Sequence, residues 1–156
     1  MIDTELLAAI CRTPGAPGYE HKIRSFIIGQ LKDLADEVTV DSMGNVVAKK
    51  YGSQDKTLAV AAHMDEISFV VTHIDDDGFV RFQPLGGFDP KTLTAQRVII
   101  HGREDVMGVM GSKPIHIMKP EDRKKPPRME DYFIDTGYAK ETLLEKIAVG
   151  DTITRE

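Results

Sequence analysis

An apolar run of small side chains that ends in polar groups places the strongest constraint on this fold. The run is Leu58-Ala59-Val60-Ala61-Ala62, and His63-Met64-Asp65-Glu66 follows it directly. Continuous apolar runs of this length are typical of strands that are covered on both faces, as in the sheets of α/β proteins. The residues before about position 65 are therefore predicted to be part of an α/β domain.

Helices and a hairpin are predicted before the apolar run. Apolar residues at helical spacing, a capping residue at Asp3 or Thr4, and a stop in the Pro- and Gly-rich stretch 13–18 define two helices. The predicted elements are helices at about 4–12 and 19–35 and strands at 38–40 and 46–48, joined by a turn at 42–45. Together with the apolar run at 58–62, this order predicts helix, helix, hairpin and buried strand.

The pattern changes near residues 65–70, where short strands separated by glycine turns begin. Strands are predicted at 67–74, 79–82, 97–101, 105–110, 115–118, 132–135 and 152–154, with an exposed loop at 119–130 and a short helix at 139–147. Many short strands with glycine turns are typical of a small β-barrel or sandwich. The sequence thus predicts an α/β part followed by a β part.

Charge and cysteine content exclude several classes of protein. The formal net charge is −5, from 25 acidic and 20 basic residues, which argues against nucleic acid as a partner. No apolar stretch approaches the ~20 residues that cross a bilayer, so no membrane partner is expected. Cys11 is the only cysteine, so the fold needs no disulfide and suits a reducing compartment. A soluble, cytoplasmic protein is expected.

His63 and Asp65 are the strongest candidates for chemistry. In a strand, residues two apart project from the same face, so both side chains would point together while Glu66 points away. An imidazole at the carboxyl end of a strand is a natural metal ligand, and a neighbouring carboxylate can orient it and raise its basicity. A polar pair that merely satisfies itself at a strand end remains the alternative.

Other candidates have simpler interpretations. A second His-x-Asp, His73-Ile74-Asp75, leads into the turn Asp75–Gly78, and a hairpin turn explains these residues better than a calcium loop does. His21 and His101 are interpreted as surface groups and His116 as a structural or interface residue. The basic residues Lys124, Lys125 and Arg128 lie among acidic neighbours and are interpreted as a solvated loop.

An ordered set of short motifs spans almost the whole chain. The motifs are Pro14-Gly15-Ala16-Pro17-Gly18-Tyr19-Glu20, Asp41-Ser42-Met43-Gly44-Asn45, Ala62-His63-Met64-Asp65-Glu66-Ile67-Ser68-Phe69, Gly86-Gly87, Gln96-Arg97-Val98, Gly111-Ser112-Lys113-Pro114-Ile115-His116, Ile134-Asp135-Thr136-Gly137 and Val149-Gly150-Asp151. In this order they resemble the M42 family of metallo-aminopeptidases, which includes glutamyl and tetrahedral aminopeptidases and proteins labelled endoglucanase M.

The resemblance implies a fold, an activity and a site. The fold would be an incomplete α/β/α aminopeptidase domain at 1–67, an inserted β-barrel-like (PDZ-like) dimerisation domain at 68–148, and a return to the catalytic domain at 149–156. The activity would be removal of N-terminal residues from a peptide substrate with two divalent metal ions, zinc or cobalt. His63 would be a metal ligand, Asp65 would have a supporting catalytic role, and the insert would make a homo-oligomer.

The resemblance also implies an incomplete metal site. Family members are more than twice as long, and of their metal ligands only His63 has a counterpart here, whereas a catalytic zinc needs about three protein ligands. Two functions therefore compete. The first is a metal-dependent aminopeptidase to which this chain contributes its N-terminal portion. The second is a non-catalytic assembly module, a truncated fragment, or half of a split enzyme.

Overall fold

The fold consists of two compact units, Met1–Glu66 and Ile67–Glu156. The computed structural model describes residues 3–121, 125 and 127–156. Each unit has its own secondary structure. None of the helices in the described ranges is both long and apolar enough to cross a membrane.

Two helices begin the first unit. Helix α1, Thr4–Arg12, starts at the predicted cap, because the Asp3 carboxylate accepts hydrogen bonds from the backbone N–H groups of Glu5 and Leu6 at 3.0 and 2.9 Å. Helix α2, His21–Leu31, is shorter than predicted. Residues 32–34 form a turn instead, because the N–H of Leu34 bonds to the carbonyl of Leu31 only three residues back.

The predicted hairpin is confirmed. Strands β1, Glu37–Val40, and β2, Val46–Lys49, pair in antiparallel register. Asp41 closes the turn between them: its carboxylate accepts from the backbone N–H groups of Met43 and Asn45, each at 2.9 Å, and from the Asn45 side chain at 2.8 Å.

The predicted buried strand at 58–62 is wrong for this chain. The run adopts no strand, and the side chains of Leu58 and Val60 are each 89% exposed. A strand needs neighbours for its backbone groups and a layer over each face. The sheet of this unit contains only β1 and β2 among the described residues, and neither pairs with this run.

The second unit is a closed six-stranded barrel, as the strand pattern predicts. Its strands are β3 Ser68–Ile74, β4 Val80–Leu85, β5 Arg97–His101, β6 Asp105–Ser112, β7 Tyr132–Asp135 and β8 Thr152–Arg155. They follow the order β3-β4-β7-β6-β5-β8, and every neighbouring pair whose register is defined is antiparallel. Alternate residues point inward, as Val106 and Met110 of β6 do.

Aromatic rings fill the centre of the barrel. Phe69 is fully buried, with its ring stacked on Phe88 at 4.2 Å and meeting Phe82 edge-on at 5.0 Å between centroids. Helix α3, Lys140–Lys146, adds the buried side chains of Leu143 and, just past its end, Ile147.

The strand predicted at 152–154 is confirmed as β8, which pairs with β5 and β3, while the expected return of residues 149–156 to a catalytic domain stays a prediction. One predicted strand of the second unit is wrong. The predicted strand at 115–118 is a 3₁₀ turn, Ile115–Ile117, because Pro114 fixes its own backbone and its carbonyl accepts from the N–H of Ile117. In the predicted loop 119–130, residues 122–124 and 126 lie outside the described residues.

Candidate metal and catalytic centre

The side chains of His63 and Asp65 contact each other. The Nδ1 atom of His63 lies 3.0 Å from Oδ1 of Asp65 and 2.9 Å from the backbone oxygen of Asp65. Both oxygens are acceptors, so Nδ1 is the nitrogen that carries the proton and donates. In the neutral imidazole, Nε2 then keeps its lone pair, which is the form that binds a metal ion.

This pair lies on an accessible extended segment. The side chain of His63 is 85% exposed and that of Asp65 41% exposed. Because the segment is not a strand, strand alternation does not explain the contact. Both the backbone oxygen and the carboxylate of Asp65 lie within hydrogen-bond distance of the same ring nitrogen.

A small open cleft adjoins the pair within the first unit. Its walls come from the start of α2, from the β1–β2 turn and from the His63 segment; they are Glu20, Arg24, Met43, Gly44, Asn45, Ala62, His63, Met64 and Asp65. Arg24 links two walls, because its Nε donates to the Gly44 carbonyl at 2.9 Å while its guanidinium lies 3.6 Å from the Glu20 carboxylate.

The turn that forms one wall contains a stable negative charge. Hydrogen bonds from the Asn45 side chain, and then from its backbone, hold the pKa of Asp41 below its ordinary value of 3.8. Asp41 therefore stays ionised under all but strongly acidic conditions, and its bonds fix Asn45 at the edge of the cleft.

The described residues do not assemble a complete metal site. No group of three or more His, Cys, Asp or Glu side chains lies close enough together in that part of the chain to hold a metal ion. His63 fits the role of one ligand, because its Nε2 is free and its other nitrogen is fixed. A catalytic zinc needs about two further protein ligands, which these residues do not bring to His63.

The second His-x-Asp is built differently. Asp75 turns its carboxylate to the backbone, accepting from the N–H groups of Asp77 at 3.2 Å and Phe79 at 2.9 Å. This is the hairpin turn that the sequence predicts. Its neighbour Asp76 pairs with Lys140, and this hydrogen bond lowers the pKa of Asp76.

His101 corrects the sequence interpretation, which made it a surface group. Its side chain is only 7% exposed, with Nδ1 2.9 Å from Asp105 Oδ1 and Nε2 2.9 Å from Thr154 Oγ1. Asp105 lies opposite His101 in the β5–β6 hairpin, only four residues away, whereas Thr154 is on β8, so the Thr154 contact depends on pairing distant in sequence. His116 is exposed.

Glu20 and Arg24, which line the cleft, were missed by the sequence analysis. Their i,i+4 spacing is the one signal that could have indicated an ion pair on a helix.

Comparison with known proteins identifies the family. The model of the M42 glutamyl aminopeptidase family matches residues 44–156. The lysyl aminopeptidase of Pyrococcus furiosus is 41% identical over 140 residues, which cover 88% of this chain and 40% of that protein.

Solved structures agree with this assignment. A TET aminopeptidase from a marine sediment Thaumarchaeota archaeon superposes with a TM-score of 0.90 at 34% identity, over 97% of this chain and 43% of that one. The TET1 peptidase of Pyrococcus horikoshii, described as assembling into a tetrahedron or a large octahedral shell, gives a TM-score of 0.83 at 34% identity, over 98% of this chain and 46% of that one.

The chain spans less than half the length of each of these relatives. The family model nevertheless covers well over half of the chain, including the whole barrel. The chain therefore belongs to the M42 glutamyl aminopeptidase family.

Proposed function

We propose that this chain supplies one metal ligand and its supporting carboxylate to an aminopeptidase that removes N-terminal residues from peptides. The observation that carries the proposal is the His63–Asp65 contact, which holds Nδ1 of His63 while the imidazole stays 85% exposed. A ligand whose second nitrogen is already held by a carboxylate is the arrangement that metal-binding histidines adopt in proteins.

The roles of the two residues follow from their geometry. His63 would hold an ion through Nε2, and Asp65 would fix the ring orientation through Nδ1–H and raise the basicity of the ring. When bound, the two divalent ions, zinc or cobalt by resemblance to the family, supply the Lewis acidity for peptide hydrolysis. The open cleft between His63 and the Asn45 turn leaves space for a peptide N-terminus.

The rest of the centre is proposed to come from a polypeptide equivalent to the part of the relatives that this chain does not span. The exposed run with Leu58 and Val60 is the segment proposed to attach it, because two large apolar side chains, each 89% exposed, would be buried by neighbouring strands. In this proposal the first unit is the N-terminal part of an α/β/α catalytic domain. The exposed single Cys11 suits the cytoplasm, which we propose as the compartment.

A chimaeric enzyme tests this function. In it, this chain replaces the matched segment of the Pyrococcus furiosus lysyl aminopeptidase. We expect the purified chimaera to hold close to two divalent ions per chain by elemental analysis and to release p-nitroaniline from aminoacyl-p-nitroanilides, whereas the 156-residue chain alone does neither. A folded chimaera that is loaded with metal and still inert contradicts the proposal.

A second function, assembly through the barrel, is supported by one surface. Met107 and Val109 of β6 point outward and are 51% and 43% exposed, and Ile99 lies directly opposite Met107 on β5. We propose this face, named here the β6 face, as the contact that joins two copies of the dimerisation insert. The TET1 peptidase of Pyrococcus horikoshii, described as assembling into a tetrahedron or a large octahedral shell, supports this proposal.

Charge on the β6 face should break the assembly. We expect the chain to scatter light as a dimer or larger particle, and the double variant Met107→Lys/Val109→Lys to scatter as a monomer, since burying two ammonium groups is strongly unfavourable. Leu144→Lys, at an apolar residue of α3 that is 48% exposed, is the matched control and should keep the wild-type mass. A wild-type chain that stays monomeric at high concentration rules out this function.

A further inference from the structure

The buried residues of the first unit are confined to one small region. Among its described residues, 3–66, only Gly15, Ala16 and Ile23 are buried. They belong to the loop before α2 and to the first turn of that helix. A unit with so little core has few rigid points, so the contacts made there decide which other segments are fixed.

Gly15 is in direct contact with the end of the segment that bears His63 and Asp65. Its carbonyl accepts a hydrogen bond from the backbone N–H of Glu66 at 2.8 Å. A Cβ added at Gly15 would lie 2.7 Å from Cγ2 of Ile23 and 3.2 Å from the backbone oxygen of Met64. Gly15 is not in the left-handed region of backbone conformation, so this close approach is the reason a side chain does not fit.

The rest of that segment has no comparable support. Residues 57–65 make no backbone–backbone hydrogen bonds within the described part of the chain. The bond from Glu66 to Gly15 is therefore the point at which the segment is attached to the buried part of the unit. His63 and Asp65 lie immediately before it.

The same loop and helix also hold the opposite wall of the cleft. The Glu20 carboxylate accepts from the N–H of Gly18 at 2.6 Å, and Arg24, one helical turn later, donates to the Gly44 carbonyl at 2.9 Å. Both walls of the cleft are thus fixed to residues 15–24, one through Gly15 and the other through Arg24.

We propose that Gly15 is a positioning residue for the His63–Asp65 pair: it fixes Glu66, and so holds His63 in the Nδ1-protonated form before any metal binds. This inference rests on the proposed function for its meaning in catalysis, but its test does not use activity. Absence of peptidase activity in the chimaera would leave the positioning result unaffected, and the reverse also holds.

NMR of the 156-residue chain, labelled with ¹⁵N, tests the proposal. The spectra of the wild type and of every variant are recorded in the same buffer, at the same mildly alkaline pH. In the wild type we expect the nitrogen shifts of His63 to report mainly the Nδ1–H form. The Glu66 amide should exchange with solvent about tenfold more slowly than the amides of 58–62, because one net hydrogen bond corresponds to about that factor.

Gly15→Ala should abolish both signatures, while Gly29→Ala is the matched control. Gly29 lies within α2 with open space around it, so its variant should keep the His63 form and the Glu66 protection. The amide spectrum of the barrel, which has a separate core, reports whether the chain as a whole stays folded.

A compensating variant distinguishes the contact from a general loss of structure. Leucine lacks the Cγ2 atom that a Cβ at position 15 would meet, so Gly15→Ala/Ile23→Leu should recover much of the Glu66 protection. The proposal is overturned if Gly15→Ala keeps both signatures, if the wild type lacks them, or if the double variant recovers neither while the barrel spectrum is unchanged.

Discussion

Replacing Phe69 with alanine should lower the free energy of unfolding of the barrel by about 3–5 kcal/mol, the usual cost of deleting a large buried ring. Phe69 has no solvent exposure and contacts two other rings, at 4.2 and 5.0 Å between centroids, so its removal leaves a cavity and ends two aromatic contacts. The total free energy of unfolding of a domain of this size is about 5–15 kcal/mol, so the loss is a large fraction of it.

Thermal and urea unfolding monitored by circular dichroism measure this effect. The midpoint temperature should fall by more than about 10 °C, since each kcal/mol shifts it by about 4–8 °C in a small domain. Phe133→Ala is the matched control, because Phe133 is only partly buried and its ring contacts Phe79 and the Arg81 guanidinium. Equal losses in both variants would show that the core does not centre on Phe69.

The strands of the barrel were predictable because the apolar patterns that indicate them lie within short stretches of sequence. The strands β3, β5 and β7 alternate or concentrate apolar residues within short windows, and glycine-containing turns separate them. The hairpin at Asp75–Gly78 is equally local, since Asp75 caps it with its own carboxylate. What the sequence does not contain is the strand order, because β8 closes the barrel between β5 and β3 through pairs distant in sequence.

The run at 58–62 was predicted incorrectly for a physical reason. Its composition describes the environment it is suited to, a strand between two layers, and says nothing of whether this chain supplies those layers. In the described residues it does not, and Leu58 and Val60 are exposed. The same limit applies to the contact of His101 with Thr154, which lies on β8, distant in sequence.

In the candidate site, too, contacts between residues close in sequence were predicted and contacts between distant residues were not. The contact between His63 and Asp65 involves residues two apart and was predicted, although the strand on which that prediction relied is not formed. The cleft beside it depends on Arg24 reaching Gly44, twenty positions along the chain, and on Gly15 accepting from Glu66. Contacts at that separation leave no periodic signal, so these residues are found only in the folded structure.

Replacing His63 with alanine should reduce the activity of the chimaeric enzyme by more than about 100-fold. Loss of a partner that only supports a metal ligand costs about 10–100-fold in affinity or activity, and loss of the ligand itself should cost more. Elemental analysis should show reduced metal content in the same preparation. Asp65→Asn should have the smaller effect, about 10–100-fold, because its amide oxygen still accepts from Nδ1–H but no longer carries the charge that raises ring basicity.

His73→Ala is the matched control, since His73 belongs to the same three-residue pattern and is also exposed. Its partner Asp75 has its carboxylate committed to the turn, with Arg81 3.7 Å away, so it does not hold the imidazole. Activity should therefore be unchanged in this variant. If the two histidine variants lost equal activity, the orientation of His63 by Asp65 would have no part in the reaction, and the local geometry that distinguishes the two His-x-Asp copies would be irrelevant to function.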